Sequence, residues 1–135
     1  MTRKFGPARK ILLADDHSPT RMMFSQVLAG QHYRIIHASN GAEAYSLAVL
    51  EMPQVILMDV MMPVMDGYEA LARIKEDPVT QAIPVMMLTA TDRPLERRLA
   101  REMGAMAYMV KPVRVDEFHR NINCAMAYQP EVCLS

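Results

Sequence analysis

The chain has 135 residues, 51% hydrophobic and 22% charged, which is enough for one compact core and too little for two ordinary domains. Fifteen Lys and Arg balance fifteen Asp and Glu, so no global field directs the chain to nucleic acid or to an anionic membrane, and any partner must be recognised locally. Two cysteines, Cys124 and Cys133, form neither a CxxC pair nor a Cys/His cluster, so a thiol metal centre and a disulfide framework are excluded and a reducing, cytoplasmic setting is expected.

Residues 1–9 read as a flexible N-terminal arm: Arg3, Lys4 and Arg9 are basic, and no apolar stretch of signal-peptide or membrane-span character is present. A short apolar run, Ile11-Leu12-Leu13-Ala14, predicts the first strand. Ser18 before Pro19 predicts an N-cap with proline at the first helical position, opening a helix that carries Met22, Met23, Val27 and Leu28. Arg34 to Ala38 is more polar and predicts an edge strand, and Ala44, Leu47 and Ala48 follow with helical period. Val55-Ile56-Leu57-Met58 is the third strand, with Leu71 and Ile74 marking the next helix. Val85-Met86-Met87-Leu88 is the fourth strand, followed by a stripe of Leu95, Leu99 and Met103. Met106 to Val110 is the fifth, and Val115, Phe118, Ile122 and Ala125 form the last amphipathic helix. Residues 129–135 read as a C-terminal tail or the start of a linker. Fourteen methionines are expected mainly in the core, where a flexible thioether fills irregular gaps.

The central apolar runs do not alternate with polar residues, as strands covered on both faces require. Strand and helix alternate five times, which implies an α/β, doubly wound parallel sheet with its functional crevice at the carboxyl ends of the strands. At those ends stand Asp15 and Asp16 after the first strand, Asp59 after the third, Thr89 closing the fourth and Lys111 after the fifth. Three carboxylates at one edge oppose one another's ionisation unless positive charge is supplied. Lys111 supplies some, and a hard divalent cation with oxygen ligands supplies the rest; Mg²⁺ suits a shallow site because it retains waters. A carboxylate in such a site can itself be a nucleophile toward phosphorus.

The segments Ala14-Asp15-Asp16-His17, Met58-Asp59-Val60-Met61-Met62-Pro63-Val64-Met65-Asp66-Gly67, Leu88-Thr89-Ala90 and Val110-Lys111-Pro112 resemble the receiver domain of two-component response regulators, in order and spacing, from about Lys10 to Tyr128. The resemblance implies a flavodoxin-like (βα)5 fold with strand order 2-1-3-4-5 and a receiver domain over residues 10–128. It implies that Asp59 accepts a phosphoryl group from the phosphohistidine of a histidine kinase or histidine phosphotransfer protein. Asp16, Asp59 and the Met61 backbone carbonyl would bind Mg²⁺ directly, and Asp15 through a water. Thr89 would hydrogen-bond a phosphoryl oxygen, Lys111 would pair with the phosphoryl group, Tyr108 would be the switch aromatic beside small Ala90, and Pro112 would follow a cis peptide. Met61 and Thr91 occupy the positions that govern hydrolysis; neither orients water with an acid or amide, so slow to intermediate decay is expected.

Pro63 and Gly67 are expected to shape the loop after Asp59, His17 to be a solvated loop residue, and Arg97 and Arg98 to form a solvated helix face. A flavin-binding domain of the same architecture would need a Ser/Thr/Gly-rich phosphate loop where Asp15 and Asp16 stand. A haloacid-dehalogenase-type phosphatase would need a second Asp where Met61 stands. Turnover of an external substrate is therefore not expected. No output module follows Tyr128, so the chain reads either as a stand-alone receiver acting on a downstream protein or as a piece of a longer regulator. Neither direct nucleic-acid nor membrane binding is expected. The signalling face implied by the resemblance is the fourth helix, fifth strand and fifth helix, about Leu95 to Tyr128, with a homodimer through that face as one use of it. The alternative reading is a degenerate receiver that binds partners without phosphate.

Overall fold

The structure, a computed structural model, describes residues 9–29 and 33–127. Its elements run β1 (Arg9–Ala14), α1 (Ser18–Leu28), β2 (Tyr33–Ala38), α2 (Gly41–Glu51), β3 (Val55–Asp59), α3 (Gly67–Glu76), β4 (Val85–Thr89), α4 (Pro94–Glu102), β5 (Ala107–Val110) and α5 (Val115–Ala127). The strands form one parallel sheet in the order β2-β1-β3-β4-β5. This is the order expected, with β2 at an edge. Arg9, assigned to the arm on sequence, pairs with Tyr33 as the first residue of β1. The rest of the arm and the tail lie outside the described residues.

The unbroken apolar runs are explained by two covering layers. Side chains one residue apart in a strand point to opposite faces. Leu12, Ile56, Met58, Val85 and Met87 therefore pack beneath α2, α3 and α4 with Ala44, Ala48, Ala70, Leu71, Ile74 and Ala100. Their neighbours Ile11, Leu13, Val55, Leu57, Met86 and Leu88 pack against Phe24 and Leu28 of α1 and Phe118, Ile122 and Ala125 of α5. The Phe24 and Phe118 rings, 4.7 Å apart at their centroids, join α1 to α5 on that second face. Removing either ring would cost about 3 kcal/mol or more by the usual scale for buried aromatics.

Three expectations about helix faces need correction. The N-cap of α1 is His17, with Ser18 the first helical residue and Pro19 in the first turn. Met22 and Met23 are exposed, and it is Phe24 and Leu28 that enter the core. On α4, Leu95 and Leu99 also face outward and Ala100 is the buried residue. In both helices apolar residues recur at helical spacing, but the sheet covers Phe24 and Leu28 on α1 and Ala100 on α4, leaving Met22, Met23, Leu95 and Leu99 outside. The methionines divide for a related reason. Met58, Met86, Met87, Met109 and Met126 are buried, whereas Met52, Met61 and Met106, at a helix end, in a loop and before a strand, have no layer above them.

Candidate functional site

Sheet register builds the site. Ala14 stands opposite Met58, so the next residues, Asp15 and Asp59, are neighbours. Asp59 stands opposite Leu88, which brings Thr89 alongside; Thr89 in turn stands opposite Val110, which brings Lys111. The Lys111 backbone N–H donates to the Thr89 carbonyl at 2.7 Å, extending the ladder by one bond past β5. The Lys111–Pro112 peptide is cis, as the resemblance implied.

Lys111 Nζ lies 3.2 Å from Asp15 Oδ2 and 2.9 Å from Asp59 Oδ2. Asp15 is fully buried, and Asp59 and Thr89 are nearly so, whereas Asp16 is exposed. The second oxygens of both buried carboxylates are held by the backbone. Asp15 Oδ1 accepts from His17 N–H at 2.7 Å and Asp59 Oδ1 from Met61 N–H at 3.2 Å. The Thr89 hydroxyl accepts from Thr91 N–H at 3.2 Å. Carboxylate oxygens of Asp15, Asp16 and Asp59 all lie within 4.8 Å of one another. Such a set of hard oxygen donors fits Mg²⁺ better than a softer ion.

The electrostatics are unbalanced in a useful direction. Burial raises the Asp59 carboxyl above the ordinary carboxylate range; contact with Lys111 and the Met61 N–H opposes the rise, and the Asp15 charge adds to it. Burial pulls Lys111 down, but Asp59 and Asp15 together outweigh it, so its ammonium is held above the ordinary lysine value. Lys111 therefore stays charged, while Asp59 gains from any further positive charge brought to the cluster.

The loop after Asp59 is fixed by backbone contacts at both of its neighbours. Gly67 N–H donates to the Val60 carbonyl at 2.9 Å and Gly41 N–H to the Met65 carbonyl at 2.9 Å. A Cβ on Gly67 would fall 2.2 Å from the Asp59 carbonyl oxygen and 2.9 Å from Val60 Cα. The Gly67→Ala variant is expected to lose about 2 kcal/mol in urea unfolding, as overpacking against main chain does. An unchanged midpoint would mean that the loop accommodates the methyl. At α3 the Asp66 side chain accepts from Glu69 N–H at 2.9 Å, capping the helix that leaves the loop.

One residue near the site behaves otherwise than its sequence context predicts. Arg97 is half-buried: Nη1 donates to the Tyr108 carbonyl at 3.2 Å, Nη2 pairs with Asp92 at 2.9 Å, and the guanidinium lies 5.2 Å from the Tyr108 ring centroid. Arg98 is exposed, as expected of a solvated face. Tyr108 is buried on the α3–α4 side of the sheet, with its hydroxyl 3.4 Å from that of Tyr68. Tyr68 had no place in the sequence pattern; its signal was an aromatic residue directly after the Asp-Gly that ends the acceptor loop. His17 keeps its loop character, with Nδ1 2.9 Å from Thr20 Oγ1.

The response regulator receiver domain model matches residues 11–123, and the chain belongs to that family. The protein PilH of Pseudomonas aeruginosa is 34% identical over 119 residues, 87% of this chain and 98% of PilH. Response regulator PleD of Caulobacter vibrioides is 36% identical over 104 residues, 77% of this chain but 23% of PleD. Among solved structures, chemotaxis protein CheY4 of Vibrio cholerae superposes with a TM-score of 0.79 at 29% identity, covering 87% of this chain and 98% of that one. The receiver domain of a sensor histidine kinase from Pseudomonas aeruginosa, with a magnesium ion coordinated in its active-site cleft, gives 0.81 at 26% identity, covering 90% and 99%. The chain is thus a receiver domain of the two-component signalling systems, with the flavodoxin-like order of strands that its sequence implied. Among the described residues, no helix is long and apolar enough to cross a membrane.

Proposed function

We propose that this receiver is a phosphorylation-dependent switch in which Asp59 takes the phosphoryl group from a phosphohistidine of a histidine kinase or histidine phosphotransfer protein. The observation that carries the reading is Lys111 Nζ bridging the buried carboxylates of Asp15 and Asp59 within a cluster of three acids. In the transfer, one Asp59 oxygen forms a bond to phosphorus as the bond from phosphorus to the imidazole nitrogen breaks, and the imidazole retains that electron pair. Asp16, Asp59 and the Met61 carbonyl would hold Mg²⁺, with Asp15 acting through a water. Bound there, Mg²⁺ supplies the positive charge that offsets the crowded carboxylates and the incoming phosphoryl oxygens. Lys111 exchanges its hold on Asp59 for a phosphoryl oxygen, and the Thr89 hydroxyl binds another.

These contacts draw the loop after β4 toward Asp59 and favour the inward place of Tyr108, altering the α4–β5–α5 face. On that face Leu95, Leu99 and Met106 are exposed, an apolar surface for a downstream protein, a joined output domain or a second copy. The switch works in the cytoplasm and turns over no external substrate. Met61, exposed beside the acceptor, and Thr91 leave the phosphoryl bond to decay slowly or at an intermediate rate.

The test is intact-protein mass after incubation with a small acyl phosphate, with and without Mg²⁺. The parent chain is expected to gain one phosphoryl group only with Mg²⁺, and Asp59→Asn none. No gain in the parent would replace this reading with that of a receiver that binds partners without phosphate.

A further inference from the structure

Tyr68 is the second residue of α3 and follows directly on Gly67, whose backbone is pressed against the Asp59 carbonyl. Any displacement of the Asp59 main chain is passed to this first turn, because there is no room between them to absorb it. From the same turn the Tyr68 hydroxyl reaches to 3.4 Å from the Tyr108 hydroxyl on β5. Tyr108 is held from its other side by Arg97 of α4, which donates to its carbonyl and lies over its ring. Two helices thus act on one buried side chain.

Glu96 of α4 adds charge to the surroundings of the hydroxyl pair. Its Oε2 is buried and accepts no hydrogen bond, with Arg93 Nε 3.4 Å away as its ionic neighbour. Burial first, then the Tyr108 hydroxyl and the Glu96 carboxylate, raise the Tyr68 phenol well above its ordinary value, so it stays protonated. Either hydroxyl of the Tyr68–Tyr108 pair can be the donor, and the contact itself does not depend on which one is.

We propose that Tyr68 is a positioning residue of the switch: its hydroxyl holds Tyr108 inward and couples the acceptor loop to the α4–β5 face through α3, in parallel with the route through Thr89. What the switch reports rests on the phosphoacceptor reading above; the hydroxyl contact does not depend on it.

The experiment labels the full chain with 3-fluorotyrosine and follows the Tyr108 fluorine signal, assigned with Tyr108→Phe, in the parent and Tyr68→Phe chains. Tyr68→Phe keeps the ring and its packing. Loss of one neutral hydrogen bond is expected to lower the inward-to-outward ratio of Tyr108 about fivefold. The signal should then move toward that of a solvated tyrosine and become more sensitive to exchange of H₂O for D₂O. The melting point should stay within about 3 °C of the parent, the range of a loss near 1 kcal/mol in a domain of this size. An unmoved Tyr108 signal overturns the proposal. So does a shift that comes with a fall in melting point of more than about 6 °C, since that describes general loosening. These spectra need no phosphodonor. A parent chain that gains no phosphoryl group in the mass experiment would therefore remove the phosphoacceptor reading while leaving the Tyr68 result to stand or fall alone.

Discussion

Lys111→Met is expected to melt far below the parent chain in metal-free buffer, and to recover most of the loss on adding Mg²⁺. Asp15 is fully buried and Asp59 nearly so, and among the described residues the ammonium that contacts both is Lys111, at 3.2 and 2.9 Å. Removing one partner of a buried ion pair leaves charge without compensation, which costs on the order of 3 kcal/mol. In a domain of this length that corresponds to a fall of roughly 10 °C. Mg²⁺ replaces the missing charge on the same oxygens, so the variant should gain more from it than the parent does. The check is a pair of thermal melts, with chelator and with millimolar Mg²⁺. Equal Mg²⁺ responses in the two proteins would mean that the cation does not bind against these carboxylates.

Asp59→Asn is expected to move the other way. Burial and the Asp15 charge raise the Asp59 carboxyl in the folded chain, against the pull of Lys111 and the Met61 N–H. An acid whose folded value is raised binds its proton more tightly when folded than when unfolded. Its ionisation therefore costs stability. That cost is absent below the ordinary carboxylate value, grows as pH rises through the raised folded value, and is complete above it. At neutral pH without metal, Asn in place of Asp removes the cost and leaves Lys111 paired with Asp15. A gain of about 1 kcal/mol, or roughly 3 °C, is expected. The same variant should show almost no stabilisation by Mg²⁺ and should have lost the phosphoryl acceptor altogether. Stability against pH, taken in chelator from pH 3 to 8, separates the two chains: the parent falls over the range where Asp59 ionises, and Asp59→Asn lacks that component. A variant that melts lower than the parent at neutral pH would show that the Lys111 contact outweighs the burial of Asp59.

The positions of Asp15, Asp59, Thr89 and Lys111 were legible because they are one-dimensional facts. Each sits at the end of an apolar run, and a parallel sheet brings all such ends to one edge. What could not be read was anything that depends on which face of a helix the sheet covers. Leu95 and Leu99 recur at helical spacing, but α4 turns Ala100 inward instead. Met22 and Met23 were indistinguishable from core residues until Phe24 was seen to occupy the place against Phe118. Arg97 looks solvated in a run of charges, and its contact with Tyr108 depends on how α4 crosses β5. Tyr68 was the hardest, since its partner Tyr108 comes from a strand far along the chain, and no period or spacing joins them. The resemblance supplied the sheet order and the cis peptide; apolar pattern alone supplied neither.

The bridge from Lys111 to Asp15 spans 96 positions and the one to Asp59 spans 52. A fragment that lacks β5 lacks the Lys111 ammonium that contacts Asp15 and Asp59. A growing chain that has exposed Asp59 but not yet β5 carries that carboxylate without its ammonium, and a chain that has lost β5 by local unfolding returns to that condition. On the proposed reading, phosphoryl acceptance would in this respect be a proofreading step: only a completed and correctly assembled domain would be charged, and damaged or half-made copies would stay silent.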